Sequence, residues 1–355
     1  MPVLSIDYSR GAASALYLDD NFSFEIVRVP MNSPYISYGN KPSKRDIFLD
    51  LLSNIEKKIE IKLDKKVKIY VSSLYKYNLG LENVIFCDKS EAFSSLYPLD
   101  FLYFSHLHVG DNSGVYSGGV DYKLLLKEIF FDEKEETLMN YFENFNLYPF
   151  MLASSDRDVY EEVAYLKQIA KNHCRIYDKG GHGDIKSIIF STTRELKDER
   201  SMSRFMLLCV ESICRAGIYS FKLDYSNFLG SISALSFLEP KIFQKVEMPE
   251  FVELGTVITA EEDLTCSFSI EEGPRQEVKL ARGSIFTLPL SSYQKVNISV
   301  NSKKYGIIDK VLNGGVFGVV LDTRNRNYLM PQTLEQKKEL EKTWEDILLT
   351  GFKNL

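Results

Sequence analysis

Tryptophan, histidine and cysteine are scarce in this chain of 355 residues. It has one Trp, four His and five Cys, and no two cysteines form a C-x-x-C pair. A structural zinc site or a disulfide framework is therefore not expected, and a reducing compartment, the cytoplasm, is the default location.

No sign of charge dominates, and no apolar run approaches the roughly 18 residues of a membrane-spanning helix. Lys and Arg number 43 against 49 Asp and Glu, which gives a formal net charge of −6. Such a chain lacks the basic surface typical of proteins that bind nucleic acid or anionic lipid. The first residues also lack the regions of a signal peptide. We expect neither nucleic-acid binding nor membrane insertion.

Aromatic residues are abundant, with 21 Tyr and 23 Phe. Large aromatic side chains enrich both protein cores and protein–protein interfaces. We predict that this excess forms a surface for protein partners; burial of these side chains in a large core is the alternative.

The N-terminal pattern predicts the element order β-β-β-α-β. Three apolar-rich runs separated by turn residues predict strands near 3–6, 14–18 and 23–29. Ser43, followed three residues later by Asp46, predicts the N-terminus of a helix with an apolar stripe. Alternation over 66–72 predicts the next strand.

The rest of the chain divides into an α/β stretch, a β-rich stretch and a final helix. Strands are predicted at 101–104, 185–191 and 220–223, and helices at 121–130, 134–145, 156–172 and 202–215. Short strands dominate from about 252, and a T-x-x-Q capping box at 333–336 opens the last helix. No internal sequence repeat is visible. The predicted domains are a first α/β lobe at 1–120, a second at 121–251, a β-rich module at 252–332 and a C-terminal helix at 333–355.

Two histidines separated by one residue form a candidate metal site. His106 and His108 would point to the same side of a strand, and Asp111 follows them. This site would suit a metallohydrolase, but only the distant His173 and His182 remain to complete it. Exposed or hydrogen-bonded histidines at a strand end are the alternative interpretation.

Other motifs do not assemble into a catalytic site. The glycine-rich segment 179–184 could cradle a phosphate, but it precedes a predicted strand rather than a helix and lacks G-K-[ST]. No serine or cysteine lies in a G-x-S-x-G setting. We therefore predict no catalytic residue.

Four segments in order resemble the accessory-protein family of glutamate mutase, called MutL or GlmL, which is unrelated to the mismatch-repair MutL. They are 140–149 with 161–164, 216–235, 254–258, and 283–290 with 314–326, the last ending in G-G-V-F-G-V-V-L-D-T-R-N-R. The likeness covers about 120–355. It implies an actin/Hsp70-like (ASKHA, ribonuclease H-like) α/β fold followed by a C-terminal β-rich module, with the N-terminal part shortened.

The resemblance also implies a nucleotide site, whose loops depart from the family pattern. The first phosphate loop, normally D-x-G-[ST]-x-x-[ST], corresponds to 7–14, where Asp7 fits but Ser9 replaces Gly. The second corresponds to 108–115, where His108 replaces Asp and Asp111 replaces Gly. The paired glycines of the adenosine loop are missing after 188–190. Nucleotide-contacting residues, if nucleotide binds, would come from the following set: Asp7, Ser9, Gly11, Ser14, Gly110 and Ser113.

Three hypotheses follow. The first is a non-catalytic actin-like accessory or scaffold protein that acts through protein contacts, as a homo-oligomer or on a mutase-like enzyme, with no cofactor. The second is an ATP-dependent reactivator or chaperone of an adenosylcobalamin-dependent mutase, which would bind ATP with magnesium. The third is a metallohydrolase that uses His106 and His108.

Overall fold

The structure is a computed structural model. It describes residues 2–8, 12–30, 43–74, 77–105, 108–111, 114–116, 121–129, 133–147, 164–165, 168, 184–192, 203, 206–207, 210, 214, 216–302, 306–324 and 334–353. Every structural statement below concerns these residues.

The first part of the chain forms a five-stranded sheet with the order β3-β2-β1-β4-β5. Strands β1, β2 and β3 are antiparallel neighbours, whereas β4 and β5 run parallel to β1. The elements are β1 (Val3–Tyr8), β2 (Ala12–Leu18), β3 (Phe24–Pro30), α1 (Lys44–Ile59), β4 (Lys68–Ser73), β5 (Val84–Asp88) and α2 (Lys89–Ser94). The predicted order β-β-β-α-β is confirmed.

Helix α1 begins where the sequence predicts. The Ser43 side chain accepts a hydrogen bond from the Asp46 N–H, and the Asp46 carboxylate accepts one from the Ser43 N–H. This capping box satisfies two backbone donors that a helix N-terminus leaves unpaired. Phe48 and Ile55 of α1 then pack with Leu4 and Ile6 on one face of the sheet. Because side chains alternate along a strand, Ser5 and Asp7 point to the other face.

The second part repeats the same strand arrangement. Its order β8-β7-β6-β9-β10 has antiparallel pairs β6–β7 and β7–β8 and parallel pairs β6–β9 and β9–β10. Its elements are β6 (Phe101–Ser105), β7 (His108–Asp111), β8 (Gly114–Tyr116), α3 (Tyr122–Glu128), α4 (Glu135–Leu147), β9 (Ile185–Thr192), β10 (Gly217–Asp224), α5 (Phe228–Leu238) and α6 (Pro240–Phe243). Two repeats of this five-strand order define the actin/Hsp70-like fold, which confirms the predicted fold class.

The strands after residue 252 belong to two sheets. Strands β11, β17 and β14 extend the second repeat's sheet beyond β10, and a separate four-stranded sheet has the order β13-β12-β15-β16. Their bounds are β11 (Val252–Thr259), β12 (Leu264–Ile270), β13 (Gln276–Leu280), β14 (Ile285–Leu288), β15 (Lys295–Ser302), β16 (Gly306–Asn313) and β17 (Val319–Asp322). The predicted domain boundaries stay predictions.

The C-terminal helix α7 (Leu334–Lys353) packs against the second repeat. Arg324 pairs with Asp322 through two hydrogen bonds of 2.9 Å and lies 4.7 Å from the centre of the Trp344 ring. Thr333 of the predicted capping box lies outside the described residues. In the part of the chain that the structure describes, no helix has the length and apolar character needed to cross a membrane.

The predicted aromatic surface is wrong for most of the described aromatic side chains. The largest fully buried residues include seven Phe and three Tyr, and they fill the cores of both repeats. Only four Phe or Tyr residues are counted among the exposed large side chains of the described region, namely Tyr97, Tyr225, Phe237 and Tyr293. Most of the aromatic side chains that the structure describes therefore build a large interior.

The two repeats share one of these cores. Val3 and Leu16 of the first sheet, Phe101 of the second, Phe93 of α2 and Ile232 of α5 belong to a single cluster. Helices α2 and α5 each follow the fifth strand of a repeat. Both therefore lie between the repeats, and the candidate site is formed where they begin.

Candidate functional site between the repeats

A row of polar residues crosses the first sheet on the face turned toward the second repeat. Asp7 on β1 lies beside Ser14 on β2 and Ser72 on β4. All three side chains are buried. The row lies near the carboxyl ends of β1 and β4, which is where α/β sheets commonly bind ligands.

The second repeat carries an equivalent row with different chemistry. Tyr103 on β6 lies beside Ser191 on β9, which in turn lies beside Asp224 on β10. Tyr103 belongs to the core that the repeats share, whereas its neighbours Leu102 and Phe104 face α3 and α4. Strand order and facing direction thus make Tyr103 the counterpart of Asp7.

Asp7 forms a buried ion pair with Lys89, the first residue of α2. The Lys89 ammonium contacts Asp7 Oδ1, and the two side chains are 1% and 0% exposed. Lys89 Nζ also donates to the Tyr103 hydroxyl at 2.9 Å, and that hydroxyl donates to Asp7 Oδ2 at 2.8 Å. Three elements from both repeats therefore meet at one carboxylate.

Two features of its position disfavour the positive charge of Lys89, namely burial and the start of a helix. Burial lowers the pKa of the Lys89 ammonium, whereas the charge and hydrogen bond of Asp7 oppose that change. The N-terminus of a helix also disfavours a positive charge. The aromatic rings of Tyr103 and Phe93 give partial compensation, with Nζ 4.5 and 5.8 Å from their centres. The ammonium is thus held by Asp7 and its surroundings, not by the helix.

Asn227 connects Asp7 to the second repeat. Its Nδ2 donates to Asp7 Oδ2 at 3.0 Å and to Ser14 Oγ at 2.9 Å. Asn227 precedes α5 with φ of 59°, a left-handed conformation that asparagine tolerates better than most residues. A Cβ on Gly230 would lie 2.6–2.8 Å from Asn227 Oδ1, Asn227 Nδ2 and Asp7 Oδ2. Gly230 therefore allows α5 to approach β1.

Asp224 anchors the start of α5. Its carboxyl group accepts hydrogen bonds of 2.8 Å from the N–H groups of Phe228 and Leu229. Ser191 Oγ lies 2.7 Å from Asp224 Oδ2 and 2.8 Å from Asn227 Oδ1. We call the following seven buried residues the polar layer: Asp7, Ser14, Lys89, Tyr103, Ser191, Asp224 and Asn227.

The structure brings together two of the predicted nucleotide-contacting residues. Asp7 and Ser14 are adjacent in the polar layer. Ser9, Gly11 and Ser113 lie outside the described residues. Their proposed role, like that of Gly110, stays a prediction.

The two predicted phosphate loops do not lie at equivalent positions of the two repeats. Residues 7–14 span the β1–β2 connection, and the equivalent connection of the second repeat joins β6 to β7, where Ser105 pairs with His108. Gly110 and Asp111 instead enter the β7–β8 hairpin. Gly110 lies beside Tyr103 in the sheet.

The predicted metal site is only partly described. His108 and Asp111 are the first and last residues of β7, and Asp111 is buried, whereas His106 lies outside the described residues. Within the residues that the structure describes, no group of three or more His, Cys, Asp or Glu could hold a metal ion.

Sequence reasoning missed the role of five members of the polar layer: Lys89, Tyr103, Ser191, Asp224 and Asn227. Strand β5 and helix α2 were not predicted, although Asp88-x-x-Glu91 after an apolar run is a capping pattern. Asp88 does cap α2 by accepting from the N–H groups of Ser90 and Glu91. Asp224 and Asn227 lie in the resembling segment 216–235, but that resemblance did not indicate a role for either side chain. Tyr103 and Ser191 gave no signal of their role, because it depends on strands far apart in the chain.

No protein-family model matches the chain, and no curated protein matches it in sequence. Among solved structures, component A of (R)-2-hydroxyglutaryl-CoA dehydratase from Acidaminococcus fermentans is similar with a TM-score of 0.35 and 12% identity, over 68% of this chain and 99% of that chain. The ROK hexokinase from Thermus thermophilus is similar with a TM-score of 0.32 and 12% identity, over 68% and 99%. The fold assignment rests on strand order and pairing, not on these scores.

Proposed function

We propose that this protein is a non-catalytic actin-like accessory or scaffold protein that acts through protein contacts and does not use ATP. The observation that carries the proposal is the Lys89 ammonium on Asp7. Asp7 is the one residue of the first phosphate loop that retains the family's metal-orienting carboxylate, and here that carboxylate is neutralised from within the chain.

The second repeat supports the same proposal. A site that holds a magnesium–phosphate group gains from several oxygen ligands of negative charge. The counterpart of Asp7 is Tyr103, whose neutral hydroxyl donates to Asp7 instead. The polar layer thus satisfies its own charges and hydrogen bonds.

Hydrophobic contacts of the shared core also favour a fixed arrangement of the two repeats. Phe228 and Leu229 of α5 are fully buried beside the polar layer. Burial of each such side chain contributes roughly 1.5–3 kcal/mol. Separation of the repeats to admit a nucleotide would expose these side chains and break the Lys89–Asp7 pair.

Equilibrium dialysis with ATP and ADP in the presence of magnesium tests the nucleotide part of the proposal. We expect no saturable binding in the micromolar range by the unmodified chain. Saturable micromolar binding that Asp7→Asn abolishes would overturn the proposal and favour the ATP-dependent reactivator. Light scattering tests the partner part, since a homo-oligomeric scaffold gives a mass that is a multiple of the chain mass.

A further inference from the structure

The hydrogen bonds around Ser191 contain one proton too few if every acid of the polar layer is ionised. A serine hydroxyl has a single proton to donate. Ser191 Oγ nevertheless lies at hydrogen-bond distance from two acceptor atoms, Asp224 Oδ2 at 2.7 Å and Asn227 Oδ1 at 2.8 Å. One of these two contacts therefore requires a proton from the other residue.

Asn227 cannot supply that proton, because its amide orientation is fixed by its other neighbours. Its Nδ2 donates to Asp7 Oδ2 and Ser14 Oγ. Exchanging the amide nitrogen and oxygen would bring Asn227 Oδ1 against the Asp7 carboxylate, where two acceptors would face each other. Asn227 Oδ1 thus remains an acceptor toward Ser191.

We infer that Asp224 keeps its proton in the folded protein at neutral pH and donates it to Ser191. The chain of donors then runs from Asp224 to Ser191, from Ser191 to Asn227, and from Asn227 to Asp7. This chain joins the end of the second repeat's sheet to the end of the first. The proton of Asp224 is therefore a structural part of the connection between the repeats.

The surroundings of Asp224 are consistent with a neutral acid. Burial raises the pKa of Asp224, and this effect outweighs the hydrogen bonds from Leu229 N–H, Ser191, Phe228 N–H and Ser226, which lower it. A carboxyl group that is buried this far favours its neutral form unless a cation is close.

Among the described residues, the nearby cations contact groups other than Asp224. Arg28 of β3 donates to the Tyr225 carbonyl and lies over the Tyr225 ring. Lys89 is committed to Asp7 and Tyr103. Helix α5 carries no charged residue, and Lys222 of β10 pairs with Glu253 of β11 at 2.6 Å. Asp111 of β7 follows Gly110, the neighbour of Tyr103, and so points to the opposite face of the sheet.

A consequence is that separation of the repeats is linked to proton release. If α5 moved away from Ser191 and into water, Asp224 would regain an ordinary aspartate pKa and ionise at neutral pH. Alkaline conditions would then favour separation, and weakly acidic conditions would favour the connected form. This linkage does not depend on whether the protein binds nucleotide.

Infrared spectroscopy of the full chain, labelled with ¹³C at the side-chain carboxyl carbon of aspartate, tests the inference. We expect the unmodified protein at neutral pH to show a carboxylic-acid carbonyl band that Asp224→Asn removes. Asp88→Asn is the matched control, because Asp88 also ends a fifth strand and caps the next helix, but it is partly exposed. The control should leave the band unchanged.

Absence of an acid band in the unmodified protein, or a band that persists in Asp224→Asn, would overturn the inference. If Asp224→Asn does not fold, Ser191→Ala provides the second test. Removing the hydroxyl takes away the acceptor of the Asp224 proton, so the acid band should shift. An unshifted band in Ser191→Ala would contradict the donor chain.

Discussion

The two repeats of this protein share a strand order but differ at equivalent positions of their first strands. The first repeat has Asp7 on β1. The second repeat has Tyr103 on β6, on the face of the strand that is turned toward the first repeat. Elsewhere the repeats are alike in that apolar residues cover the outer faces of both sheets. The comparison teaches that the hydrophobic cores maintain the fold, whereas the charge and hydrogen bonding between the repeats depend on the few residues of the polar layer.

The second difference concerns the helix that follows each fifth strand. Helix α2 begins with a charged residue, Lys89. The neutral Asn227 directly precedes α5, and Gly230 within α5 allows close packing against β1. Together they enclose Asp7 from both repeats. Four substitutions sharpen this comparison, beginning with the one that we expect to cost most.

Lys89→Met should be the most destabilising change. It leaves the Asp7 carboxylate buried without its cation, and removing one partner of a buried ion pair costs roughly 3–5 kcal/mol. Urea denaturation measures the change in the free energy of unfolding. The matched double variant Asp7→Leu/Lys89→Met should recover much of the loss, because it removes both charges. A loss below about 1 kcal/mol in Lys89→Met would contradict the account of the ion pair.

Tyr103→Phe should cost about 2 kcal/mol, within the range for hydrogen bonds to charged groups. It removes the hydroxyl that donates to Asp7 and accepts from Lys89. Thermal and urea unfolding both report the loss. Tyr293→Phe is the control, since Tyr293 is 86% exposed and its hydroxyl should contribute almost nothing. Equal stability of the two variants would contradict the hydrogen bonds of the Tyr103 hydroxyl with Asp7 and Lys89.

Gly230→Ala should destabilise the protein by about 1–2 kcal/mol through overpacking. Alanine favours a helix over glycine by roughly 1 kcal/mol, so helix propensity alone predicts the opposite sign. The expected loss comes from a Cβ only 2.6–2.8 Å from the side chains of Asn227 and Asp7. A variant more stable than the unmodified protein would show that α5 does not approach β1 so closely.

Ser43→Ala should have the smallest effect, and that effect should depend on pH. The hydrogen bonds with Ser43 lower the pKa of Asp46. A carboxyl group whose pKa is lower in the folded state stabilises the folded protein at pH values above its unfolded-state pKa. That stabilisation is lost as the pH falls through its folded-state pKa. The difference in melting temperature between the unmodified protein and Ser43→Ala should therefore become smaller as the pH is lowered. A difference that grows in acid would contradict the capping box.

Much of the fold could be predicted from local patterns. The Ser43 cap, the alternation in β4 and the turn between β2 and β3 are local signals, and all three were correct. The duplication was not visible, because the repeats share strand order and not sequence. The predicted aromatic surface was wrong for most of the described Phe and Tyr side chains, because composition counts these residues but does not locate them.

Two of the seven residues of the polar layer could be predicted from the sequence. Asp7 and Ser14 were found through the phosphate-loop resemblance, and they do meet. Lys89 and Asn227 are separated by 138 positions along the chain and converge on Asp7 only through packing of α2 and α5. Their role follows from tertiary structure, which a single sequence does not display.

Thermal unfolding with increasing magnesium–ATP tests the central claim most directly. A ligand that binds only the folded state raises the melting temperature, and the rise grows with the logarithm of the free ligand concentration once that concentration exceeds the dissociation constant. Because Lys89 already neutralises Asp7, we predict no shift at any nucleotide concentration with the unmodified protein. A rise in melting temperature that grows with the concentration of magnesium–ATP, and that Asp7→Asn abolishes, would contradict the claim.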